Sequence, residues 1–141
     1  MFANSHFALA THVMTVLAVH HDQGPLTSAQ IARSINTNPA FLRTLLGQLR
    51  EAGLIEIALG KGGGARLARA AARVTLADVY RAVEKRPAIQ LHRCTPDKRC
   101  VVGRNILPLL DEVVSDVETA ALRRLGDTTV ADLATRVLRR G

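Results

Sequence analysis

The sequence predicts a mainly α-helical fold with one small β-hairpin. The chain has 141 residues, which is enough for about one domain of the usual size. Its hydrophobic fraction of 48% is ordinary for a protein with a buried core, whereas aromatic residues make up only 3% and tryptophan is absent. A core of Leu, Val, Ile and Ala suits helices better than sheets, and only one segment shows the alternating apolar pattern of a hairpin.

Two short helices are predicted at the start of the chain. The first follows Ser5, a candidate N-cap, and ends before Gly24 because glycine followed by proline interrupts a helix. The second begins at Thr27, which forms a capping-box pattern with Gln30 three residues later.

A third helix and a hairpin follow. Asn38 is a good N-cap before a proline, and the apolar residues that come after it recur at helical spacing up to Gly53. Residues 54–59 then alternate between apolar and other residues, and residues 65–69 can return antiparallel after the glycine-rich segment 60–64. This pattern predicts a β-hairpin with a glycine-rich tip.

The second half of the chain predicts three more helices and one loop. Thr75 begins a fourth helix with the same capping pattern, and residues 88–103 have no persistent period and are read as a basic loop. A long helix is expected over about residues 105–125, with Pro108 tolerated in its first turn. Thr129 begins a last helix, which can pack back on the body or extend a dimer contact.

The long helix carries more apolar surface than a chain of this size can cover. Its stripe comprises Ile106, Leu110, Val113, Val117, Ala120 and Ala121. A crossed or antiparallel helix from a second subunit is the natural partner for such a stripe, so the sequence predicts a homodimer with these residues at its interface.

The charge balance favours a polyanionic partner. Nineteen Lys and Arg against twelve Asp and Glu leave a net charge of +7, which makes double-stranded DNA the leading candidate. No apolar run approaches the roughly 20 residues of a membrane helix, and no signal peptide is recognisable at the N-terminus. We therefore expect no membrane association and a cytoplasmic location.

Three short helices followed by a hairpin is the order of a winged helix-turn-helix, in which the third helix enters the major groove of DNA. The predicted units are a DNA-binding domain over residues 1–86, a basic cysteine-containing sensor loop over 87–104, and a dimerisation helix with a C-terminal helix over 105–141, all in one continuous domain. Because winged helices also serve as protein-interaction modules, an adaptor function is the alternative from another class.

Several motifs strengthen the first interpretation. They are LTS at residues 26–28, LREAGL at 49–54, GGGARLAR at 62–69, TLADVYRAVE at 75–84 and CVVGRNI at 100–106. Together they resemble the Rrf-two (Rrf2) family of bacterial winged-helix transcriptional regulators, in its YwnA-like branch, related to the iron–sulfur-sensing and nitric-oxide-sensing repressors. The resemblance spans nearly the whole chain and implies a homodimeric cytoplasmic regulator, usually a repressor, that binds a partly palindromic operator.

The resemblance also implies where DNA is contacted. The positions carried over are Thr27, Ser28, Asn38, Ala40, Arg43, Thr44, Lys61, Gly62, Gly63 and Arg66. Arg43 lies early on the third helix, where a guanidinium can reach guanine O6 and N7; the alternative is that Arg43 belongs to a solvated helix face. Leu59 and Ala65 depart from the family pattern, which has an Arg before the first tip glycine and an aromatic residue after the last one. Lys61 and Arg66 therefore have to supply the charge of the hairpin, and phosphate contact is expected rather than minor-groove reading.

Cys94 and Cys100 lie within the basic loop. We expect the neighbouring basic residues to lower the thiol pKa and favour the thiolate; these residues are Arg93, Lys98, Arg99 and Arg104. One hypothesis is that oxidation joins the two cysteines, or pairs them across a dimer, and changes DNA binding. The other is that both thiols are incidental.

No cofactor or metal site is expected. The cysteine spacing resembles the first two of three cysteines in cluster-binding members of the family, but residues 101–110 contain neither Cys nor His. With only two cysteines, the chain is not expected to hold an iron–sulfur cluster. Enzyme motifs are absent from the sequence, so the protein is not expected to be an enzyme; a regulator that responds to a small molecule without any thiol role stays an alternative.

Overall fold

The computed structural model describes residues 5–141, so the first four residues of the predicted DNA-binding unit lie outside the described residues. The elements are α1 (His6–Val19), α2 (Ser28–Ile35), α3 (Pro39–Glu51), β1 (Ile55–Ala58), β2 (Gly64–Leu67), α4 (Leu76–Val83), α5 (Val101–Gly126) and α6 (Val130–Arg140), with short 3-10 turns at His21–Gln23 and Ala71–Arg73. This order confirms the predicted class, a mainly helical winged helix-turn-helix followed by a long helix.

The core is built around α1. This helix is apolar on nearly every side, as expected of a helix that is surrounded by other elements. Helices α2, α3, α4 and α6 and strand β2 all contact it. The large side chains that are less than 2% exposed come from most of these elements and are Val13, Met14, Ile31, Leu42, Leu45, Leu49, Leu54, Ile55, Val74, Val79 and Val130.

Threonine capping boxes begin three of the helices. Thr27, Thr75 and Thr129 each accept a hydrogen bond from the backbone N–H three residues later, and the side chain at that later position accepts from the threonine N–H. These predicted caps are confirmed. The prediction for Ser5 is wrong: it precedes α1 with φ −102° and ψ 8°, outside the extended conformation of a side-chain cap, and its hydroxyl caps nothing.

The hairpin is tied to the start of α2. Strands β1 and β2 are antiparallel, with Ile55 opposite Leu67 and Ala58 opposite Gly64. Leu26 adds a bridge that the sequence analysis did not predict: its N–H donates to the carbonyl of Ala65 at 2.9 Å and its carbonyl accepts from the same residue at 2.8 Å. The hairpin, hereafter the wing, is therefore fixed relative to α2.

Helix α5 begins four residues earlier than predicted. Its first residue is Val101 and Cys100 is its N-cap, so the basic loop ends at residue 100. Pro108 consequently lies inside the helix, whereas the sequence analysis expected it in the first turn. Its ring removes the N–H that would have bonded to the carbonyl of Arg104.

Helix α6 folds back on the body, which is the first of the two packings that the sequence analysis left open. The N–H of Val130 donates to the carbonyl of Val74 at 2.9 Å, and the N–H of Leu76 donates to the carbonyl of Thr128 at 2.9 Å. From this anchor α6 packs against α1 and the turn at 71–73. Among the described residues, no helix combines the length and the apolar character needed to cross a membrane.

Candidate nucleic-acid interface

Helix α3 presents one face to the core and the opposite face to solvent. Leu42, Leu45, Leu46 and Leu49 are buried at helical spacing. This spacing places the predicted contact residues Ala40, Arg43 and Thr44 on the exposed side. Arg43 makes no hydrogen bond or ion pair with any of the residues 5–141, so its guanidinium can reach an external acceptor.

The N-terminus of α3 is held by Asn38. Its Oδ1 accepts hydrogen bonds from the backbone N–H of Ala40 at 2.8 Å and of Phe41 at 3.4 Å. The amide nitrogen of this exposed side chain remains available as a donor at the positive end of the helix, where an anion is favoured. Thr44 donates its hydroxyl hydrogen to the carbonyl of Ala40 at 3.2 Å, which leaves the oxygen able to accept.

The two predicted contact residues at the start of α2 have different surroundings. The hydroxyl of Thr27 accepts from the backbone N–H of Gln30 at 3.3 Å and donates to Oε1 of the Gln30 side chain at 3.1 Å, so it is occupied in capping. Ser28 is exposed as the first helical residue. Its hydroxyl and backbone N–H are the groups that remain for a phosphate.

The wing tip has a tightly folded backbone. Gly63 donates its N–H to the carbonyl of Gly60 at 3.1 Å, and any Cβ added at Gly63 would collide with the carbonyl of Ala58. Lys61 and Gly62 are exposed at this tip. The predicted glycine contacts therefore lie where the backbone can approach a sugar–phosphate chain closely.

The predicted wing cation Arg66 is already paired. Its Nε and Nη2 both lie 3.0 Å from Oε2 of Glu56, the residue directly opposite in the hairpin. The sequence analysis missed this pair because a cross-strand partner becomes visible only when the register is known. Of the two cations expected in the wing, only Lys61 lacks a partner within the described chain.

Gly47 is absent from the predicted set but lies on the same face of α3 as Arg43 and Thr44. A Cβ added there would meet nothing within 4 Å, so no packing contact requires a glycine. The sequence did contain a signal for this position: glycine in the middle of a well-bounded helix costs about 1 kcal/mol relative to alanine, which indicates a functional reason for its presence.

The two cysteines differ in their surroundings. Both are exposed free thiols. The backbone N–H groups of Gly103 and Val102, in the first turn of α5, lower the pKa of the Cys100 thiol below its ordinary value. The expected cause was the nearby basic side chains, but the structure instead gives the helix N-terminus as the source.

One of those basic side chains is held by a neighbouring acid. The Arg99 guanidinium pairs with Asp97 at 3.1 Å, and the same contact lowers the pKa of that carboxyl. Arg104 donates to the backbone carbonyl of Lys98 at 3.4 Å. The end of the basic loop, from Asp97 to Cys100, is thus a folded turn against the first residues of α5.

No group of metal-ligating side chains forms within the described part of the chain. Nowhere within residues 5–141 do three or more His, Cys, Asp or Glu side chains come together as a metal-binding group. Two exposed thiols fall short of the usual four ligands of an iron–sulfur centre.

Comparison with known proteins identifies the family. The family model described as "Rrf2: Iron-dependent Transcriptional regulator" matches residues 3–136. The chain belongs to the Rrf2 family. YwnA of Bacillus subtilis (strain 168), which carries the description HTH-type transcriptional regulator, is 31% identical over 130 residues, covering 92% of this chain and 95% of YwnA.

Solved structures of Rrf2 regulators share the fold. The structure of T. potens IscR superposes with a TM-score of 0.73 at 22% identity, over 97% of this chain and 88% of that one. The oxidised form of Staphylococcus aureus CymR gives a TM-score of 0.71 at 25% identity, over 95% and 96%. These relatives are transcriptional regulators and not enzymes, so this Rrf2 protein is a DNA-binding transcriptional regulator, as the sequence predicted.

Proposed function

We propose that this Rrf2 regulator is a cytoplasmic homodimeric repressor that binds a partly palindromic operator and releases it when Cys100 is oxidised. Each subunit would place the exposed face of α3 in the major groove and the wing beside it. In a straight duplex the two helices would read half-sites about 34 Å apart.

The observation that carries the dimer is the uncovered apolar stripe of α5. None of the residues of this helix is buried within one chain. Within the predicted interface, Val113 is 59% exposed, Val117 38% and Leu110 37%, while Ile106 and Ala121 are half-buried and Ala120 is exposed. An apolar stripe at spacings of three and four over such a length is the pattern of a helix that packs against another helix.

Replacing Val113 by Glu tests this interface. A carboxylate on each subunit at the centre of the stripe would have to be desolvated on association, so we expect the dimer dissociation constant to rise at least about 100-fold. Sedimentation equilibrium measures the assembly, and fluorescence anisotropy measures the affinity for an operator selected by the wild-type protein from random duplexes.

Val137→Glu is the matched control. Val137 lies on α6 and is 53% exposed, so its replacement introduces the same charge outside the proposed interface and should leave both measurements unchanged. A Val113→Glu protein that remains a dimer would place the interface elsewhere. A wild-type protein that binds all duplexes equally, with no salt dependence, would favour the protein-interaction adaptor.

The sensor proposal depends on the position of Cys100 at the N-cap of α5. Its thiolate would attack a hydroperoxide, taking one oxygen to become a sulfenic acid and releasing an alcohol or water. The Cys94 thiol of either subunit would then displace that oxygen as water, leaving a disulfide. The disulfide would link the exposed loop covalently to the N-cap residue of α5 and so restrict the conformations of both.

Operator binding by reduced and peroxide-treated protein tests the switch. We expect oxidation to weaken binding, Cys100→Ser to abolish the response, and Cys94→Ser to prevent the disulfide while sulfenic acid still forms on Cys100. Mass spectrometry after trapping with dimedone distinguishes these products. Selective binding that ignores oxidation in the wild-type protein would favour a small-molecule effector instead.

We further infer that no iron–sulfur cluster is part of the regulator, because its two thiols lack further ligands of the required kind among the described residues. Anaerobic reconstitution with iron and sulfide, followed by absorption near 400 nm, tests this inference. A stable cluster with a stoichiometry of one per subunit would contradict it.

A further inference from the structure

We propose that the cleft between α1, the segment that follows β2, and α6, hereafter the α6 cleft, binds a small amphipathic carboxylate. The aliphatic part of the ligand would lie on the floor of the cleft and its carboxylate would meet Arg69. The cleft has a volume of about 670 Å³, which is in the range of small-molecule sites. The inference goes beyond the proposed operator binding and does not depend on it.

Small apolar side chains form the floor of the α6 cleft. Half of its lining residues are alanines, and they come from all three walls: Ala18, Ala68, Ala70, Ala71, Ala131 and Ala134. Because a methyl group extends only a short way from the backbone, the three packed elements leave space between them. Val19, Leu67 and Leu138 complete the apolar lining. A concave and mainly apolar surface of this kind favours an aliphatic group over water.

The apolar face of α6 continues beyond the part that the body covers. Val130 is 0% exposed and Ala134 is 9% exposed, where α6 packs on α1 and the turn at 71–73. Leu138 lies four residues further along the same face and is 63% exposed at the edge of the cleft. An occupant of the cleft would cover this leucine, which the described chain leaves open to solvent.

The charged groups of the lining favour an anion. Arg69 and His21 are its cationic or titratable side chains, and no Asp or Glu lines the cleft within the described part of the chain. His21 is already engaged, because its Nε2 lies 2.9 Å from Oδ1 of Asp22 and its Nδ1 lies 2.9 Å from the carbonyl oxygen of Ala18. Arg69 makes no hydrogen bond or ion pair with residues 5–141, so it is the cation that remains for a ligand.

Arg69 has to turn to reach a carboxylate in the cleft. Its Nη2 lies toward Gly53, 3.8 Å from the place that a Cβ on that glycine would occupy. Because Arg69 is exposed and has no polar partner among the described residues, this rotation breaks no hydrogen bond. We therefore expect the guanidinium to close over the ligand as it binds.

One wall of the cleft belongs to the base of the wing. Leu67 is the last residue of β2, and the N–H of Ala68 donates to the carbonyl of Leu54 at 3.0 Å. An occupant would therefore contact the wing and the helical body at the same time.

Octanoate and octan-1-ol are the probes, because they have the same chain length and differ in the charge of the head group. Binding would be followed by NMR of the full-length protein labelled with ¹³C at its alanine methyl groups. We expect octanoate to shift the six alanine signals of the cleft in a saturable way below about 1 mM, and to leave alanines remote from the cleft unchanged. Octan-1-ol should shift the same signals with an affinity about tenfold lower, because it lacks the carboxylate.

Two variants separate the floor from the head-group contact. Ala131→Leu fills the cleft and should lower the affinity for both probes at least about tenfold. Arg69→Gln should lower the affinity for octanoate to that for octan-1-ol and leave octan-1-ol binding unchanged. Thermal unfolding checks that each variant is folded.

Ala72→Leu is the matched control for the filled cleft. Ala72 is exposed in the turn at 71–73 and is not part of the lining, so the same three carbon atoms are added outside the cleft. Its affinity for both probes should equal that of wild type. Leu138→Ala tests the apolar contact at an exposed position, where the fold tolerates the change, and should weaken both probes about threefold.

Several results would overturn the inference. The first is the absence of saturable shifts at the cleft alanines, and the second is wild-type affinity in both Ala131→Leu and Leu138→Ala. Octanoate binding that is unchanged in Arg69→Gln would contradict the assigned carboxylate contact. Alanine shifts that follow the protein concentration without any probe would assign the cleft to a second copy of the chain. All these measurements use the protein without DNA, so they are independent of whether it selects an operator.

Discussion

Gly47 is the position where stability and DNA binding should move in opposite directions. It lies in α3, and an added Cβ would meet nothing within 4 Å, so Gly47→Ala fits the folded chain without displacing any atom. Alanine is favoured over glycine in a helix interior by about 1 kcal/mol. For a chain of this size, that gain corresponds to a melting temperature about 3–5 °C higher.

The same methyl group should weaken operator binding. Gly47 shares the exposed face of α3 with Arg43 and Thr44, and each half of a dimer would bring one added methyl against the floor or wall of a major groove. Inserting a methyl group into a close-packed surface costs about 1–3 kcal/mol, which corresponds to an operator Kd about 5- to 150-fold higher.

The assay compares thermal unfolding with anisotropy on the selected operator, using Gly126→Ala as control. Gly126 is the last residue of α5, and a Cβ there also meets nothing within 4 Å. Its replacement should stabilise the protein modestly and leave the Kd unchanged. A Gly47→Ala protein that is more stable and binds as well as wild type would show that α3 does not approach DNA at this point. Lower stability would contradict the geometric argument itself.

Two further predictions concern helix N-termini. Asn38→Ala should lower the free energy of unfolding in urea by about 1 kcal/mol because it removes the cap of α3. Asn38→Asp should keep that stability yet weaken operator binding, because it places a negative charge against phosphate. Equal operator binding by the aspartate variant would contradict the predicted orientation of the α3 N-terminus toward the DNA backbone. Because the folded-state pKa of Cys100 is lowered, its thiolate persists to lower pH than in the unfolded chain. In a Cys94→Ser background, the iodoacetamide rate should therefore fall at a lower pH for the folded protein than in urea, and coincident curves would contradict this.

The helix order could be predicted because its signals are local. Each capping box joins residues three apart, so Thr27, Thr75 and Thr129 identify helix starts with no knowledge of the fold. The start of α5 could not be found in this way. Its N-cap is Cys100, which is not a typical capping residue, and the usual position of proline in a first turn placed the helix start near Pro108.

The features that the sequence did not predict are nonlocal. The bridge from Leu26 to Ala65 joins residues that are 39 positions apart in sequence, and the Arg66 pair with Glu56 depends on strand register. The candidate DNA contacts came largely from family resemblance. A resemblance indicates which positions contact DNA, but it does not show how exposed their side chains are or whether they are already paired within the chain. Only the folded chain shows that the wing keeps one unpaired lysine.

Helix α5 combines the proposed sensor and the proposed dimer contact, and this arrangement determines how a signal would act. Cys100 is the N-cap residue of the helix, and the apolar stripe begins within the first two turns and continues toward the other end. Because the separation of two recognition helices must match the half-site spacing of about 34 Å, a small change in how α5 crosses its partner alters the fit to DNA. No internal change in α3 is then needed. Oxidation should leave the α3 amides as protected from hydrogen exchange as before while it exposes those at the start of α5, and loss of protection in α3 would contradict control through the dimer.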